Sequence, residues 1–229
     1  MKESPFLRRR KLWLSHERAV TKLLLILAVL LYFFLVWAVF VYGKDSFDQA
    51  VFDRIALHIT PARTKFMLAI TFLGNPTFLV PVNILLLIYF LIKKNKWAAI
   101  RLTMISLGGL LIKLLLKQIF HRHRPDHPLI TGGVAGFSFP SGHALLSVAF
   151  YGFLVWICAH HIKNNWLQFL AISFLVFLIL AISFSRVYLR VHYATDISAG
   201  LCIGFIWLSI SLWFVGKKEA AVVLPAAPQ

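Results

Sequence analysis

Six apolar stretches, each about as long as a bilayer is thick, are the feature that most constrains the fold of this chain. A helix that crosses the hydrocarbon core needs roughly 20 apolar residues, and only helices and closed barrels satisfy their backbone hydrogen bonds there. The stretches are Leu23–Tyr42, Phe66–Ile92, Trp97–Leu116, His143–His160, Trp166–Phe184 and Ala194–Val215. With 60% hydrophobic residues in a chain of 229, this pattern predicts an all-α polytopic membrane protein, a bundle of six transmembrane helices. The bundle is expected to form one domain, residues 23–215, between a basic segment at 1–22 and a tail at 216–229.

The distribution of basic residues predicts how the bundle is oriented. The formal net charge is +16, and basic segments that flank apolar helices tend to stay in the cytoplasm. The basic segments are residues 2–22, Lys93–Lys96, Lys163 and Lys217–Lys218. Both termini are therefore predicted to be cytoplasmic. The opposite connections, predicted to be extracytoplasmic, are Gly43–Lys65, Lys117–Gly142 and Ser185–Tyr193.

The same charge bears on binding partners. Strongly basic proteins often bind nucleic acid, but no DNA-binding motif is present and the basic residues flank apolar helices, so no nucleic-acid partner is expected. The segment at 1–22 mixes its basic cluster with apolar residues such as Trp13. It is either a plain topology anchor or an interfacial helix on anionic inner-leaflet lipids. The two cysteines, Cys158 and Cys202, lie inside apolar stretches, and no disulfide is predicted.

Several local patterns predict features of the helices and loops. Apolar residues recur at helical spacing after Asp45 and Ser46, which are candidate caps, and so predict a short amphipathic helix. Its apolar residues are Phe47, Val51, Phe52, Ile55 and Ile59. Pro76 and Pro81 should kink the second stretch.

Two glycine patterns have a structural or a functional interpretation. Gly200 and Gly204 form a small-xxx-small face, which favours close packing of the last helix. The glycine-rich segment Thr131–Gly136 is either a mobile substrate gate or a close-packed turn.

Three polar clusters interrupt the apolar pattern. They are Lys117–Pro125 after the third stretch, Phe139–His143 before the fourth, and Ser185–Asp196 before the sixth. Because successive helices alternate in direction, all three clusters are predicted to meet at the outer membrane–water boundary. Ionisable groups are costly at such a boundary, so a functional site is the default interpretation.

The third cluster places His192 and Asp196 at positions i and i+4, which share one face of a helix. A carboxylate that holds one imidazole nitrogen leaves the other nitrogen available as a base or nucleophile. The alternative is a His–Asp pair that only stabilises a helix. The residues support both interpretations.

The other clusters favour an anion site. A helix that starts near Ser141 and Gly142 would direct free backbone N–H groups at a phosphate, with His143 placed to donate a proton. An ordinary helix cap is the alternative. Lys117, Arg124 and Arg186 add three cations that suit a phosphoryl group.

The remaining basic residues of these segments receive simpler interpretations. Arg122 and Arg190 are expected to contact lipid headgroups, and Lys113 is expected to extend its amine towards water.

No metal or other cofactor is expected. The acidic residues of the outer connections are scattered, whereas a hard cation needs several convergent oxygens. The histidines near the first cluster lack the Cys or Glu that would complete a zinc site. These residues are Asp45, Asp48, Asp53, Asp126, His121, His123 and His127.

Taken in order, the patterns K-x6-R-P, P-S-G-H and S-R-x5-H-x3-D resemble the three-motif signature of the type 2 phosphatidic acid phosphatases. The six-helix plan is similar to the membrane branch of that family. The resemblance implies that His192 is a nucleophile that forms a phosphohistidine, and that Asp196 orients it. It also implies that His143 protonates the leaving group and later activates water. Phosphate binding is then assigned to Lys117, Arg124, Ser141, Gly142 and Arg186.

The implied activity is metal-independent hydrolysis of a lipid phosphomonoester or diphosphate in a bacterial cytoplasmic membrane. Candidate substrates are phosphatidylglycerol phosphate and undecaprenyl diphosphate, with phosphatidic acid as a further possibility. A lipid phosphotransferase would use the same site, because an alcohol competes with water for the phosphoenzyme. A vanadate-dependent oxidase is disfavoured because the known ones are soluble and larger. An anion transporter is disfavoured because inverted repeats and paired broken helices are missing from the sequence.

Overall fold

The computed structural model describes residues 5–43, 45–130 and 134–223, which form eight α-helices and no β-strand. The helices are α1 Pro5–Phe40, α2 Ser46–Ala56, α3 Pro61–Phe72, α4 Pro76–Ile92, α5 Lys96–Phe120, α6 Gly142–His161, α7 Asn165–Tyr188 and α8 Ala194–Val223. Within the described ranges, six spans are long and apolar enough to cross a membrane. The predicted all-α, six-span membrane architecture is therefore confirmed.

The second span is built from two helices, α3 and α4, and not from one kinked helix. The chain leaves α3 at Leu73 and enters α4 at Pro76, after an Asn75 cap whose side chain accepts a hydrogen bond from the Thr77 amide at 3.0 Å. Proline suits the first turn of a helix because its missing N–H has no helical partner there. Pro76 thus begins a new helix, whereas Pro81 lies inside α4.

The terminal helices extend past the predicted ends of the membrane domain. Helix α1 begins at Pro5 and α8 ends at Val223, so the boundaries at residues 23 and 215 fall inside continuous helices. The side chains of residues 1–18 and the tail at 224–229 lie outside the described residues. The division into segments, the lipid contact of the N-terminus and the membrane side of each end remain predictions from the sequence.

Helix α2 is the predicted amphipathic helix. Its buried residue Phe52 packs with Val187 and Ile197 of the bundle. Asp45 occupies the predicted N-cap position, but its side chain forms no cap bond with the described residues of α2. Its carboxylate instead lies 3.3 Å from Nη2 of Arg122.

Helix α6 is the most buried of the six described spans and contacts α5, α7 and α8. The small-xxx-small face of α8 packs directly on it. A Cβ atom on Gly200 would lie 2.6 Å from the Ser141 carbonyl oxygen, and one on Gly204 would lie 2.8 Å from the Leu145 carbonyl oxygen. The predicted close packing of this face is therefore confirmed, and it holds the N-terminus of α6 against α8.

Candidate active site

The three polar clusters meet at one end of the bundle, where α5 and α7 end and α6 and α8 begin. The N-terminus of α6 occupies the middle of this end because α6 packs against the other three helices. The turn between α7 and α8 and the segment between α5 and α6 also contact each other, since the Leu129 amide donates to the Leu189 carbonyl at 2.9 Å. This end of the molecule is the candidate active site.

His192 and Asp196 are in contact, although not on one helix. His192 precedes α8 and Asp196 lies in its first turn, and the two side chains are 2% and 0% exposed. Nδ1 of His192 lies 3.4 Å from Oδ2 of Asp196. The same oxygen accepts a hydrogen bond from the Tyr193 amide at 2.9 Å and one from the Ser138 hydroxyl. The carboxylate thus orients the imidazole from a fixed position.

The environment of His192 favours the neutral imidazole. Burial lowers the pKa of His192 to about 4, and its contact with Asp196 only partly opposes this shift. Because an ionised carboxylate can only accept, the ring proton belongs on Nδ1, facing Asp196. Nε2 then carries the free lone pair, and it lies 3.4 Å from Nη1 of Arg124. A neutral Nε2 beside a cation is suited to attack an anion that the cation holds.

Two of the predicted cations are held by backbone carbonyls of the segment between α5 and α6 and of the turn between α7 and α8. Nε of Arg124 donates to the Gly136 carbonyl at 2.8 Å, and its Nη1 donates to the Val191 carbonyl at 2.7 Å. Nζ of Lys117 donates to the Phe137 carbonyl at 2.6 Å. Burial lowers the pKa of Arg124, and Asp196 opposes this effect. These bonds aim both cations at the same end of α6.

Arg186 reaches the site from the end of α7. Its Nη1 donates to the Thr71 hydroxyl of α3 at 2.8 Å, and its Nε is buried with no hydrogen-bond partner among the described residues. Arg186 interacts electrostatically with Arg124 and Lys117, so the three cations form one cluster. Like charges gathered in this way are stabilised when an anion binds between them.

The start of α6 presents further unpaired donors. Ser141 is the N-cap residue, and its amide donates to the Asp196 carbonyl at 3.0 Å. The Ser141 hydroxyl and Nε2 of His143 are both buried, and neither has a partner in the described part of the chain. His143 also lies within electrostatic reach of His192 and Arg186. Buried polar atoms normally have partners, so these two atoms are suited to a polar ligand.

Two glycines make room for side chains at this site. A Cβ atom on Gly142 would lie 2.9 Å from Cδ of Lys113, so the aliphatic stem of Lys113 packs across the start of α6. The predicted extension of its amine towards water stays a prediction. A Cβ atom on Gly74, at the break between α3 and α4, would lie 3.2 Å from Cδ2 of His143. Gly74 was not predicted from the sequence, although the predicted kink at Pro76, two residues later, was an available signal.

Arg122 was predicted to contact lipid headgroups, and this is wrong. Its side chain is only 9% exposed, and its Nη1 donates at 2.7 Å both to Oδ1 of Asp196 and to the Thr195 hydroxyl. Its Nη2 donates to Oδ2 of Asp48 at 2.9 Å, and its guanidinium lies 4.0 Å from the ring centre of Tyr193. Burial opposes the charge of Arg122, but Asp196 and Asp48 outweigh it and raise its pKa.

Asp48 links this arrangement to α2. Its carboxylate is 2% exposed and accepts from the Thr195 amide at 3.0 Å and the Thr195 hydroxyl at 2.6 Å. Asp48 shares a helix face with the apolar residues Phe52 and Ile55. A carboxylate on the apolar face of α2 was the sequence signal from which a buried role of Asp48 could have been predicted. The guanidinium of Arg190 lies 5.2 Å from the ring centre of Phe52, and its predicted headgroup contact stays a prediction.

The segment predicted as a gate or a turn borders this site. Residues 131–133 lie outside the described residues, and the carbonyls of Ala135 and Gly136 accept hydrogen bonds from Arg124. Both interpretations of the segment remain predictions. No group of three His, Cys, Asp or Glu side chains with the arrangement of a metal site occurs in the described ranges.

Fold and site together define the class of this protein. Residues 97–220, more than half of the chain, match the family model of the PAP2 superfamily. The chain therefore belongs to the PAP2 superfamily, as the motif order predicted, and it is a multi-pass membrane protein of that superfamily.

One sequence relative and two solved structures are similar to this chain. The chain is 27% identical over 181 residues to phosphatidylglycerophosphatase B of Bacillus subtilis (strain 168), across 76% of this chain and 87% of that protein. The crystal structure of a transmembrane PAP2 type phosphatidylglycerolphosphate phosphatase from Bacillus subtilis matches with a TM-score of 0.77 at 25% identity, covering 84% of this chain and 96% of that one. The Aquifex aeolicus LpxE structure shares the fold, with a TM-score of 0.57 at 22% identity over 72% of this chain and 94% of that one.

The buried environment of His192 generates a pH prediction. Nitrogen NMR of protein with isotope-labelled histidine should show His192 as the neutral, Nδ1-protonated tautomer from about pH 5 to pH 8, whereas an exposed imidazole titrates near 6.5. Comparison with His192→Gln assigns the resonance. A titration midpoint of His192 near 6.5 would contradict the burial argument, and an Nε2-protonated ring would contradict the proposed orientation by Asp196.

Proposed function

We propose that this protein is a lipid phosphate phosphatase that hydrolyses a phosphomonoester or diphosphate of a membrane lipid through a phosphohistidine on His192. The observation that carries the proposal is the Nε2 atom of the buried His192 imidazole, which lies 3.4 Å from Nη1 of Arg124. Burial lowers the pKa of His192 and so favours its neutral form. Phosphatidylglycerol phosphate is the first candidate substrate, in keeping with the names of the Bacillus subtilis relatives, and undecaprenyl diphosphate is the second.

In the first half-reaction, Nε2 of His192 attacks phosphorus and the bond from phosphorus to the lipid oxygen breaks. The leaving oxygen takes the bonding electron pair and receives a proton from His143. His192 becomes positively charged as it bonds to phosphorus, and the nearby Asp196 carboxylate stabilises that charge. Nδ1 keeps its proton throughout, because the contact with Asp196 orients the ring.

In the second half-reaction, water attacks the phosphohistidine. His143, now neutral, accepts a proton from the water, and the bond between phosphorus and Nε2 breaks. Inorganic phosphate leaves, and both histidines return to their starting protonation states. Splitting the reaction in this way lets one histidine serve as nucleophile while the other moves the proton in both steps.

Transition-state charge falls on phosphoryl oxygens, and phosphoryl transfer depends mainly on positioning and electrostatic stabilisation. Lys117, Arg124 and Arg186 supply three positive charges in this role. The Ser141 hydroxyl and the backbone N–H groups at Gly142 supply neutral donors at the positive end of the α6 dipole. We propose that these groups replace the divalent cation that many phosphotransfer enzymes use.

A phosphate-release assay tests the function. Purified protein in detergent with excess EDTA should release inorganic phosphate from phosphatidylglycerol phosphate or undecaprenyl diphosphate, and His192→Ala should not. Activity that disappears in EDTA and returns with magnesium or zinc would contradict metal independence. Release from none of the lipid phosphates would contradict the function. Transfer of the phosphate to an added alcohol with little release to water would instead identify a phosphotransferase.

The two histidines should fail in different ways. With radiolabelled p-nitrophenyl phosphate, whose leaving group needs little protonation, His143→Ala should still phosphorylate His192 and should accumulate the phosphoenzyme because water is no longer activated. His192→Ala should form no phosphoenzyme. Quenching without acid, followed by gel analysis of bound label, measures both. Label that accumulates in His192→Ala and not in His143→Ala would show that the two roles are exchanged.

Arg122 is proposed as a positioning residue that acts through Asp196. Arg122→Gln should lower kcat by about ten- to a hundredfold, by analogy with the loss seen when hydrogen-bond partners of metal-ligating residues are removed, with a smaller change in KM. Arg122→Lys should recover part of the rate. Arg54→Gln, an exposed arginine on α2, is the matched control and should leave kcat unchanged.

The His192 NMR signal separates positioning from general destabilisation in Arg122→Gln. Loss of the hydrogen bonds from Arg122 should shift the Nδ1 resonance while the protein remains folded. An unchanged His192 resonance together with an unchanged kcat would contradict the positioning role.

A further inference from the structure

A polar cavity lies at the end of the bundle opposite the candidate active site. It has a volume of about 420 Å³, within the range of small-molecule sites. It lies where α4, α6 and α8 end and α5 begins. Its main lining residues are Tyr89, Lys93, Arg101, Trp156, His161 and Glu219. The proposed reaction uses none of them, and the polar residues of this opposite-end cavity need their own explanation.

Arg101 is the central charge of the opposite-end cavity. It lies in the second turn of α5, its side chain is 8% exposed, and its guanidinium is 4.8 Å from the ring centre of Trp156. Its Nη2 forms an ion pair with Glu219 of α8. Its Nε is also buried and has no hydrogen-bond partner anywhere in the described structure. A buried cation with an unpaired donor is costly unless a further acceptor reaches it.

The charges at the rim favour an anion as that acceptor. Lys93 is exposed and lines the opening, so the lining holds two full positive charges against the single carboxylate of Glu219. Further lysines lie at the same end over aromatic rings: Nζ of Lys217 is 5.5 Å from the Trp213 ring centre, and Nζ of Lys96 is 5.5 Å from that of Trp97. Basic residues beside tryptophans are typical of the headgroup level of a bilayer.

We propose that the opposite-end cavity binds the phosphate headgroup of an anionic membrane phospholipid. A guanidinium carries five N–H donors in a planar fork, so Arg101 can keep Glu219 on Nη2 while a phosphate oxygen accepts from Nε. Lys93 supplies a second charge-assisted hydrogen bond. Tyr89 and Trp156 offer aromatic surface to the glycerol part of the lipid. The phosphate chemistry would also suit free inorganic phosphate, which the experiment must distinguish.

Native mass spectrometry of the detergent-purified protein tests the proposal. The background is His192→Ala, which prevents turnover, and the probes are phosphatidylglycerol and phosphatidylcholine of equal chain length. We expect retention of phosphatidylglycerol over phosphatidylcholine, with at least a fivefold loss in Arg101→Gln and a smaller loss in Lys93→Gln. Lys163→Gln, an exposed lysine at the same end but outside the cavity lining, is the matched control and should retain lipid normally.

Other results of the lipid-binding experiment would contradict the proposal. Equal loss in Lys163→Gln and Lys93→Gln, or no preference for phosphatidylglycerol, would overturn the proposal. If Arg101→Gln does not fold, the lipid retention of Lys93→Gln decides, because the Lys93 side chain is exposed. Millimolar inorganic phosphate that binds without lipid, and that fails to bind Arg101→Gln, would assign the cavity to free phosphate and overturn the lipid headgroup as its ligand. Because no turnover is measured, these results are independent of the proposed reaction.

Discussion

The buried carboxylate of Asp196 is the group on which the rest of the candidate site depends. Oδ2 receives hydrogen bonds from Ser138 and the Tyr193 amide and contacts His192, while Oδ1 receives one from Arg122 at 2.7 Å. Its backbone carbonyl accepts from the Ser141 amide. One residue thereby joins the segment before α6, the start of α6, the turn before α8 and, through Arg122 and Asp48, helix α2. Removing a partner from a buried charge typically costs about 3–5 kcal/mol, so these segments are held together at the reacting end.

Close helix packing stabilises this end of the bundle, whereas repulsion between like charges destabilises it. The close contact of Gly200 with the Ser141 carbonyl fixes α6 against α8 and so fixes Ser141 relative to Asp196. Lys117, Arg124 and Arg186 repel one another at the same place, and carbonyl oxygens only partly compensate. A phosphate group would relieve that repulsion and supply acceptors for the unpaired donors. We therefore expect that an anion bound at this site increases the stability of the folded protein.

Most of the candidate site could be predicted from the sequence, because the spacing of residues within a motif and the direction of each helix are local properties of the chain. Six apolar stretches of alternating direction place the residues of three motifs at one end, and Ser141 and Gly142 mark the start of a helix. Arg122 was misassigned because its partners Asp48 and Asp196 are 74 residues away in the chain on either side. A basic residue near a membrane boundary suggests a lipid headgroup unless its buried partners are known. The contact of Gly74 with His143 depends likewise on a helix break whose geometry only the folded chain reveals.

The stereochemical course at phosphorus tests the central claim, a covalent phosphohistidine, most directly. The measurement uses a phosphorothioate monoester substrate whose phosphorus is chiral through one sulfur and two oxygen isotopes, hydrolysed in water that carries the third oxygen isotope. Each in-line displacement inverts the configuration, so attack by His192 followed by attack by water predicts overall retention. Overall inversion would show that water attacks the substrate directly, and His192 would then have to act as something other than a nucleophile.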